Sequence, residues 1–339
     1  MRNSGKTGIK KDTIYLIAET AFSHEGSLEY LRQQIDKAEE ADVNAIKFQI
    51  MLQAEESYAS EVIASSEVFQ WKYTEEEWKE IILYAREKGL QIVVLPVDMK
   101  ALEFCEKNTD LYEMIEVHSI NFNHKFMLER IDKISDKIVV LGEGGRTLED
   151  IEYALNKLER AYSEKRILLM HGFQSFPTKP ENLRMERIRK YKNFFGTEMG
   201  YADHTAYDAD DIVLMQIAYV NGARYFEKHL VVNRGEERTD YQAAVDASHL
   251  KEIRIALEQI EVIQGENYGW TLNEAEKKYR SREKKIVALE DICEGTVFSE
   301  QNLGYKVTNE EKHFEQNEME RFIGDTAKRN IVQGSTDIG

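Results

Sequence analysis

Short apolar runs alternate with amphipathic stretches along most of the chain. The runs at 13–19, 44–50, 91–95, 114–117, 137–141, 166–170, 197–201 and 224–229 predict β-strands. They are apolar at nearly every position, as strands covered on both faces are. Helical patterns separate them. Ser27 is a good N-cap for a helix with Leu28, Leu31, Ile35 and Ala38 on one face. Thr74-Glu75-Glu76-Glu77 is a capping-box pattern for a helix ending near Gly89. Pro96 stops the third strand, and further helices are expected at 101–107 and 126–134, from the cap Thr147, at 181–192 and at 208–220. A last long helix is expected from the cap Ser248 to Gly265. Eight strand–helix units within about 250 residues is the pattern of a (β/α)8 TIM barrel. A doubly wound open sheet is the runner-up, but it seldom needs eight regular alternations.

The pattern changes after Gly265. Residues 266–285 are polar and highly charged and read as a linker with a helical stretch. Residues 286–339 carry short apolar runs with Gly turns and no long helical pattern. The expected organisation is therefore α/β: a barrel over 1–265, a linker over 266–285 and a small β-rich domain over 286–339.

Composition narrows the partners. The 339 residues are 42% hydrophobic and 32% charged, which suits a soluble chain with a core. A formal net charge of −17 repels nucleic acid and anionic membrane. The two cysteines, Cys105 and Cys293, lie far apart and neither has a CxxC partner, so no disulfide framework or thiolate metal site is expected. Residues 1–11 are polar and basic and do not read as a signal peptide. A cytoplasmic protein is expected.

The barrel pattern makes a functional statement, because such barrels place their sites at the C-terminal strand ends. The polar residues found there are Glu19, Lys47, Gln49, Ser119, Glu143, His171, His204 and His229. His204 and His229 follow the seventh and eighth strands, so a parallel sheet puts both imidazoles at one end, a strand apart. With Asp203 and Glu227 beside them they could hold a divalent metal; the alternative is a pair of ordinary loop histidines.

Taken in order, Ile17-Ala18-Glu19, His24-Glu25-Gly26, Ile46-Lys47-Phe48-Gln49, Phe176-Pro177-Thr178, Asp203-His204-Thr205 and Glu227-Lys228-His229 resemble the sialic acid synthase family. The C-terminal segment is similar to that family's antifreeze-like (SAF) domain. The resemblance implies condensation of phosphoenolpyruvate with an N-acetylated amino sugar in its aldehyde form, giving a 2-keto sugar acid and phosphate. It implies a Mn²⁺- or Mg²⁺-type ion held by His204 and His229, with Glu19 and Asp240 as acid/base groups. Lys47 would face the donor carboxylate, and Gln49 and Phe176 would line the sugar. It also implies a homodimer in which the small domain of one chain caps the barrel mouth of the other.

The chain departs from that family where the donor phosphate would bind. Glu116 stands where the family has Lys, Leu95 where it has Thr, and Gly142 and Ala202 where it has Ser. Gln174 replaces Asn, and Val307 stands for a sugar-binding Arg. Lys47 and Ser119 remain, and the loop Gly142-Glu143-Gly144-Gly145-Arg146 could offer backbone N–H groups and the Arg146 guanidinium. Three readings stay open: a divergent synthase; a metal-dependent lyase, isomerase or aldolase acting on a sugar or keto acid without a phosphorylated donor; and a non-catalytic sugar-binding relative.

Overall fold

A computed structural model describes residues 14–175, 177–265 and 269–339. Eight parallel strands follow one another around a closed sheet: β1 (Tyr15–Glu19), β2 (Ala45–Ile50), β3 (Gln91–Pro96), β4 (Met114–Val117), β5 (Ile138–Gly142), β6 (Ile167–His171), β7 (Glu198–Asp203) and β8 (Tyr225–Leu230). Pairing of β1 with β8, Tyr15 opposite Tyr225 through Glu19 opposite His229, closes the barrel. The TIM barrel expected from the sequence is thus the fold. Strand positions agree with the reading to within two residues.

Alternation along each strand sorts the side chains into two apolar layers. Ile17, Ala45, Val93, Met114, Val140, Leu168, Met170, Ala202 and Tyr225 pack inside the barrel. The intervening residues, such as Leu16, Ile46, Phe48, Ile115, Leu141 and Phe226, pack outward against the helices. Those helices begin on the expected caps: Ser27 accepts from the Tyr30 amide, and Thr74 and Thr147 each make a reciprocal capping box, with Glu77 and Asp150.

Three details differ from the reading. The helix expected at 181–192 is Glu186–Phe195, because Pro180 opens a separate 3-10 turn, Pro180–Asn182. The last barrel helix is Ala247–Gln264, and Ser248 lies inside it. Asp246 serves as the cap instead, its Oδ1 accepting from the His249 amide at 3.1 Å and the Ser248 hydroxyl at 2.6 Å. A two-residue strand, β9 (Ala244–Val245), extends the sheet beside the end of β8 and had no sequence signal of its own.

The chain divides into two compact units between Gln264 and Gly265. The second carries a short helix, Glu274–Arg280, and an antiparallel pair, β10 (Lys285–Ala288) with β11 (Leu303–Lys306). Single bridges join Ile292 to Ile331 and Val297 to Thr326. Ile286, Ile292, Phe298, Leu303, Phe322 and Ile331 form its own small core. Among the described residues no helix is long and apolar enough to cross a membrane.

Candidate active site

The inward positions of the strands continue past the apolar layer toward the C-terminal end, and there they become polar. Ile17 is followed two residues on by Glu19, Ala45 by Lys47 and then Gln49, and Met114 by Glu116 and then His118. Ala202 leads to His204, and Tyr225 to Glu227 and His229. A side chain two residues further along a strand points the same way, so these groups must share one cavity. They do: Glu19, Lys47, Gln49, Glu116, His118, Gln174, His204, Glu227, His229 and Asp240 line a space of about 200 Å³, with Gly142, Gly144, Met170, Gly172 and Ala202 completing the wall.

One ligand atom each from Glu19, His204 and His229 lie within 4.8 Å of one another, and all three residues are buried. The two imidazoles stand nearly edge to face, centroids 5.3 Å apart. His229 Nε2 is 3.1 Å from Glu19 Oε2. Burial, and then the neighbouring His229, press the His204 pKa down to about 3, so its ring is neutral and can offer a lone pair. Two imidazoles and a carboxylate at that spacing fit a first-row divalent cation. The loop after β6 fixes the approach to His204, whose carbonyl accepts from the Thr178 amide at 2.8 Å.

Beside this triad sits a buried charge cluster. The Lys47 ammonium meets Glu227 Oε1 at 2.6 Å, Glu116 Oε2 at 2.9 Å and Glu19 Oε1 at 3.3 Å. Burial alone would lower the Lys47 pKa, but the three carboxylates outweigh it and hold the group well above its usual value. Burial would likewise raise Glu19; Lys47 and then His229 overcome it and keep that carboxyl well below its ordinary range. Glu227 goes the other way. Burial and the proximity of Glu19 and Glu116 exceed the pull of Lys47, so its carboxyl is held well above the ordinary range. Gln49 completes the arrangement by donating from Nε2 to Glu19 Oε1 at 2.8 Å.

Asp240 and Gln174 reach the cavity from loops. Asp240 adopts φ 65°, a left-handed conformation that Asp tolerates better than most residues, and opens the turn into β9. Gln174 is admitted by Gly144: a Cβ there would lie 2.5 Å from Gln174 Cγ and 2.6 Å from the Gly172 carbonyl. Of the remaining expected site residues, Ser119 is buried and Arg146 half-buried, and neither is on the cavity wall. Phe176 lies outside the described residues.

Three groups expected at the mouth face outward, one step out of phase with the inward positions. His171 pairs through Nδ1 with Glu143, and its Nε2 donates to the Leu183 carbonyl at 2.7 Å, so both residues are spent on loop structure. Asp203 binds Tyr201 Oη at 2.6 Å and Thr205 Oγ1 at 2.8 Å and pairs with Lys228. Glu116, Glu227 and His118 also form part of the wall, Glu227 beside the two histidines as the sequence reading had it. Their signal was parity with Lys47, Gln49 and His229.

A second hollow of about 320 Å³, lined by Glu39, Asp42, Val43, Lys88, Gly89 and Leu90, opens at the N-terminal ends of β2 and β3. That end of a barrel serves stability, and Lys88 is already paired with Asp36 and Glu39 at 2.9 Å.

Comparison with known proteins places this geometry. N,N'-diacetyllegionaminic acid synthase of Campylobacter jejuni is 25% identical over 332 residues, which is 94% of this chain and 97% of that protein. A crystal structure described as spore coat polysaccharide biosynthesis protein E of Chromobacterium violaceum superposes with a TM-score of 0.81 at 21% identity, covering 95% of this chain and 97% of its own. N-acetylneuraminic acid synthetase of Leptospira borgpetersenii, solved with citrate, gives 0.70 at 22% identity over 80% and 92%. These two likenesses show the barrel fold. The sequence pattern of the NeuB family matches residues 34–268, and the chain belongs to that family.

Proposed function

We propose that the chain is a metal-dependent sugar-acid synthase-type enzyme that joins a small donor to the aldehyde of a sugar. The observation that carries this reading is the meeting of Glu19, His204 and His229 within 4.8 Å at the C-terminal mouth of the barrel. The family's named synthases support the same class of reaction. A divalent ion held there would polarise the aldehyde carbonyl. The protein groups do the rest. Lys47 and Gln49 fix the Glu19 carboxylate from one side. Asp240 and Gln174 meet the sugar hydroxyls from the loops. Mixed nitrogen and oxygen donors favour Mn²⁺ over Mg²⁺, which prefers an all-oxygen, largely hydrated shell.

The resemblance implies phosphoenolpyruvate as donor. It also implies a SAF-type role for residues 286–339 and a homodimer that exchanges this domain. Sedimentation of the full chain checks the pairing, with a monomer across the micromolar range refuting it. For the reaction, protein loaded with Mn²⁺ is mixed with N-acetylmannosamine and either phosphoenolpyruvate or pyruvate, and masses are followed. A donor-plus-aldehyde product that disappears with EDTA is expected. Failure to bind Mn²⁺ together with absence of any product would reject the proposal.

A further inference from the structure

Asp240 reaches the cavity from a loop rather than from a strand. Residues 231–240, between the end of β8 and the 3-10 turn Tyr241–Ala243, form neither helix nor strand. Asp240 itself is held at φ 65°. A left-handed residue at the end of an irregular loop keeps one place only if its surroundings fix it.

The fixing comes from one acidic residue on another loop. Glu25, the middle residue of His24-Glu25-Gly26, lies on the loop that leaves Glu19. Its Oε1 accepts from the Thr239 amide at 2.8 Å, and its Oε2 accepts from Arg238 Nη1 at 3.0 Å. Both oxygens are therefore taken by the two residues immediately before Asp240. Arg238 Nη1 also donates to the Ser23 carbonyl at 3.2 Å, and Nε to Glu236 Oε1 at 3.1 Å. The guanidinium lies 3.7 Å from the centre of the Tyr30 ring, a cation–π contact. Tyr30 Oη accepts from the Val232 amide at 3.1 Å, so both ends of the loop close on the same tyrosine.

The loop that carries Glu25 is itself anchored. Gln34, fully buried, donates from Nε2 to the Ser23 hydroxyl at 2.9 Å and to the Leu230 carbonyl at 2.6 Å. It joins the start of the Glu25 loop to the end of β8. Glu25 and Arg238 are half-buried and neither is on the cavity wall, so their route to a ligand runs through Asp240.

We propose that Glu25 and Arg238 are positioning residues: together they form a strap that holds the Asp240 side chain over the cavity for a sugar hydroxyl. The inference rests on the synthase-type reading of the cavity, in which Asp240 meets the acceptor sugar.

The test compares the Mn²⁺-loaded full chain as wild type, Arg238→Ala, Glu25→Ala and Glu25→Gln. Hydrogen exchange read by mass spectrometry follows the loop. Residues 231–243 should lose protection in both alanine variants, while the helix Ala247–Gln264 and the Mn²⁺ affinity stay unchanged. With phosphoenolpyruvate and N-acetylmannosamine, both alanine variants should raise KM for the sugar on the order of tenfold and keep kcat within about twofold, as for a loop in place roughly a tenth of the time. Glu25→Gln meets the same left-handed backbone, φ 49°, but keeps an acceptor for the Thr239 amide, so it should recover most of the loss. In an Asp240→Asn background, Arg238→Ala should add about twofold or less. Unchanged exchange in both alanine variants overturns the inference. So does an undiminished KM effect beside Asp240→Asn, because the strap would then act through another group. If wild type forms no product, the synthase reading fails by itself, and the exchange measurement still decides the strap.

Discussion

Lys47→Met removes the single ammonium around which three buried carboxylates are arranged. Lys47, Glu19, Glu116 and Glu227 are each at most 4% exposed, so water cannot take over the lost interactions. Breaking a buried ion pair by deleting one partner costs about 3–5 kcal/mol. Three partners do not triple this, because orphaned carboxylates relieve themselves by binding protons. A loss of about 4 kcal/mol at pH 8 is therefore expected, which for a barrel of this size is a fall in Tm of roughly 8–16 °C. The pH dependence gives a second check. Glu19 has its folded pKa depressed below the ordinary value of 4.5, so its stabilisation is present above that pH and disappears as pH falls through the folded value. Lys47 has its folded pKa raised above 10.5, so its contribution persists throughout the neutral range and fades only in alkali. The damage from Lys47→Met should thus be large at pH 8 and shrink toward pH 4.5 as the freed carboxylates protonate. Thermal unfolding by circular dichroism at both pH values reads this directly. Adding Glu116→Gln and Glu227→Gln to Lys47→Met should recover most of the loss, since a neutral buried network needs no cation. A Lys47→Met Tm within about 2 °C of wild type at pH 8 would refute the reasoning.

Three other substitutions test separate parts of the site. Glu227→Gln replaces a carboxyl whose folded pKa is raised; that group's stabilisation is present below its ordinary value and lost as pH climbs through the folded one, so the variant should gain on the order of 1 kcal/mol at pH 8 and nothing at pH 4.5, read as Tm. His204→Ala should weaken Mn²⁺ binding at least about 100-fold in a paramagnetic-resonance titration while far-ultraviolet circular dichroism stays unchanged; undiminished affinity would remove His204 from the ligand set. Gly144→Ala should cost about 1–3 kcal/mol in chemical denaturation, because its Cβ meets the Gly172 carbonyl at 2.6 Å and the backbone must move; a neutral result would mean that the loop gives freely.

Much of the molecule was legible because a barrel repeats one rule. Each strand is a short apolar run, each helix starts on a cap such as Ser27, Thr74 or Thr147, and the order of runs gives the order around the sheet. The triad was legible too, since Glu19, His204 and His229 each end an apolar run. The boundaries that slipped did so where a neighbour could serve equally well: Asp246 outcompetes Ser248 as a cap because its carboxylate takes the amide of His249 and the hydroxyl of Ser248 together. The segment after β2 was silent, and it folds as short pieces, Ala54–Glu56, Ser60–Ile63 and Glu67–Gln70, none long enough to show a period.

Polarity at a strand end proved a weaker guide than phase. Glu143 and His171 are as polar as Glu116 and His118, yet they fall one residue from the inward positions Gly142 and Met170 and are consumed by each other and by the loop. The same single step divides Glu227-Lys228-His229. Glu227 and His229 enter the cavity, while Lys228, fully buried, turns outward to Asp203, to the Thr205 carbonyl at 3.2 Å and to Asp211 at 3.3 Å. Asp211 in turn meets His249 at 2.7 Å. An outer ion pair therefore binds β8 to the end of β7 on the side away from the cavity, at the level where His204 and His229 face each other within. Lys228 and Asp203, each one residue from an imidazole, thus tie together the two strand ends that carry His204 and His229, so charged residues occupy both faces there: one face lines the cavity and the other joins the strands.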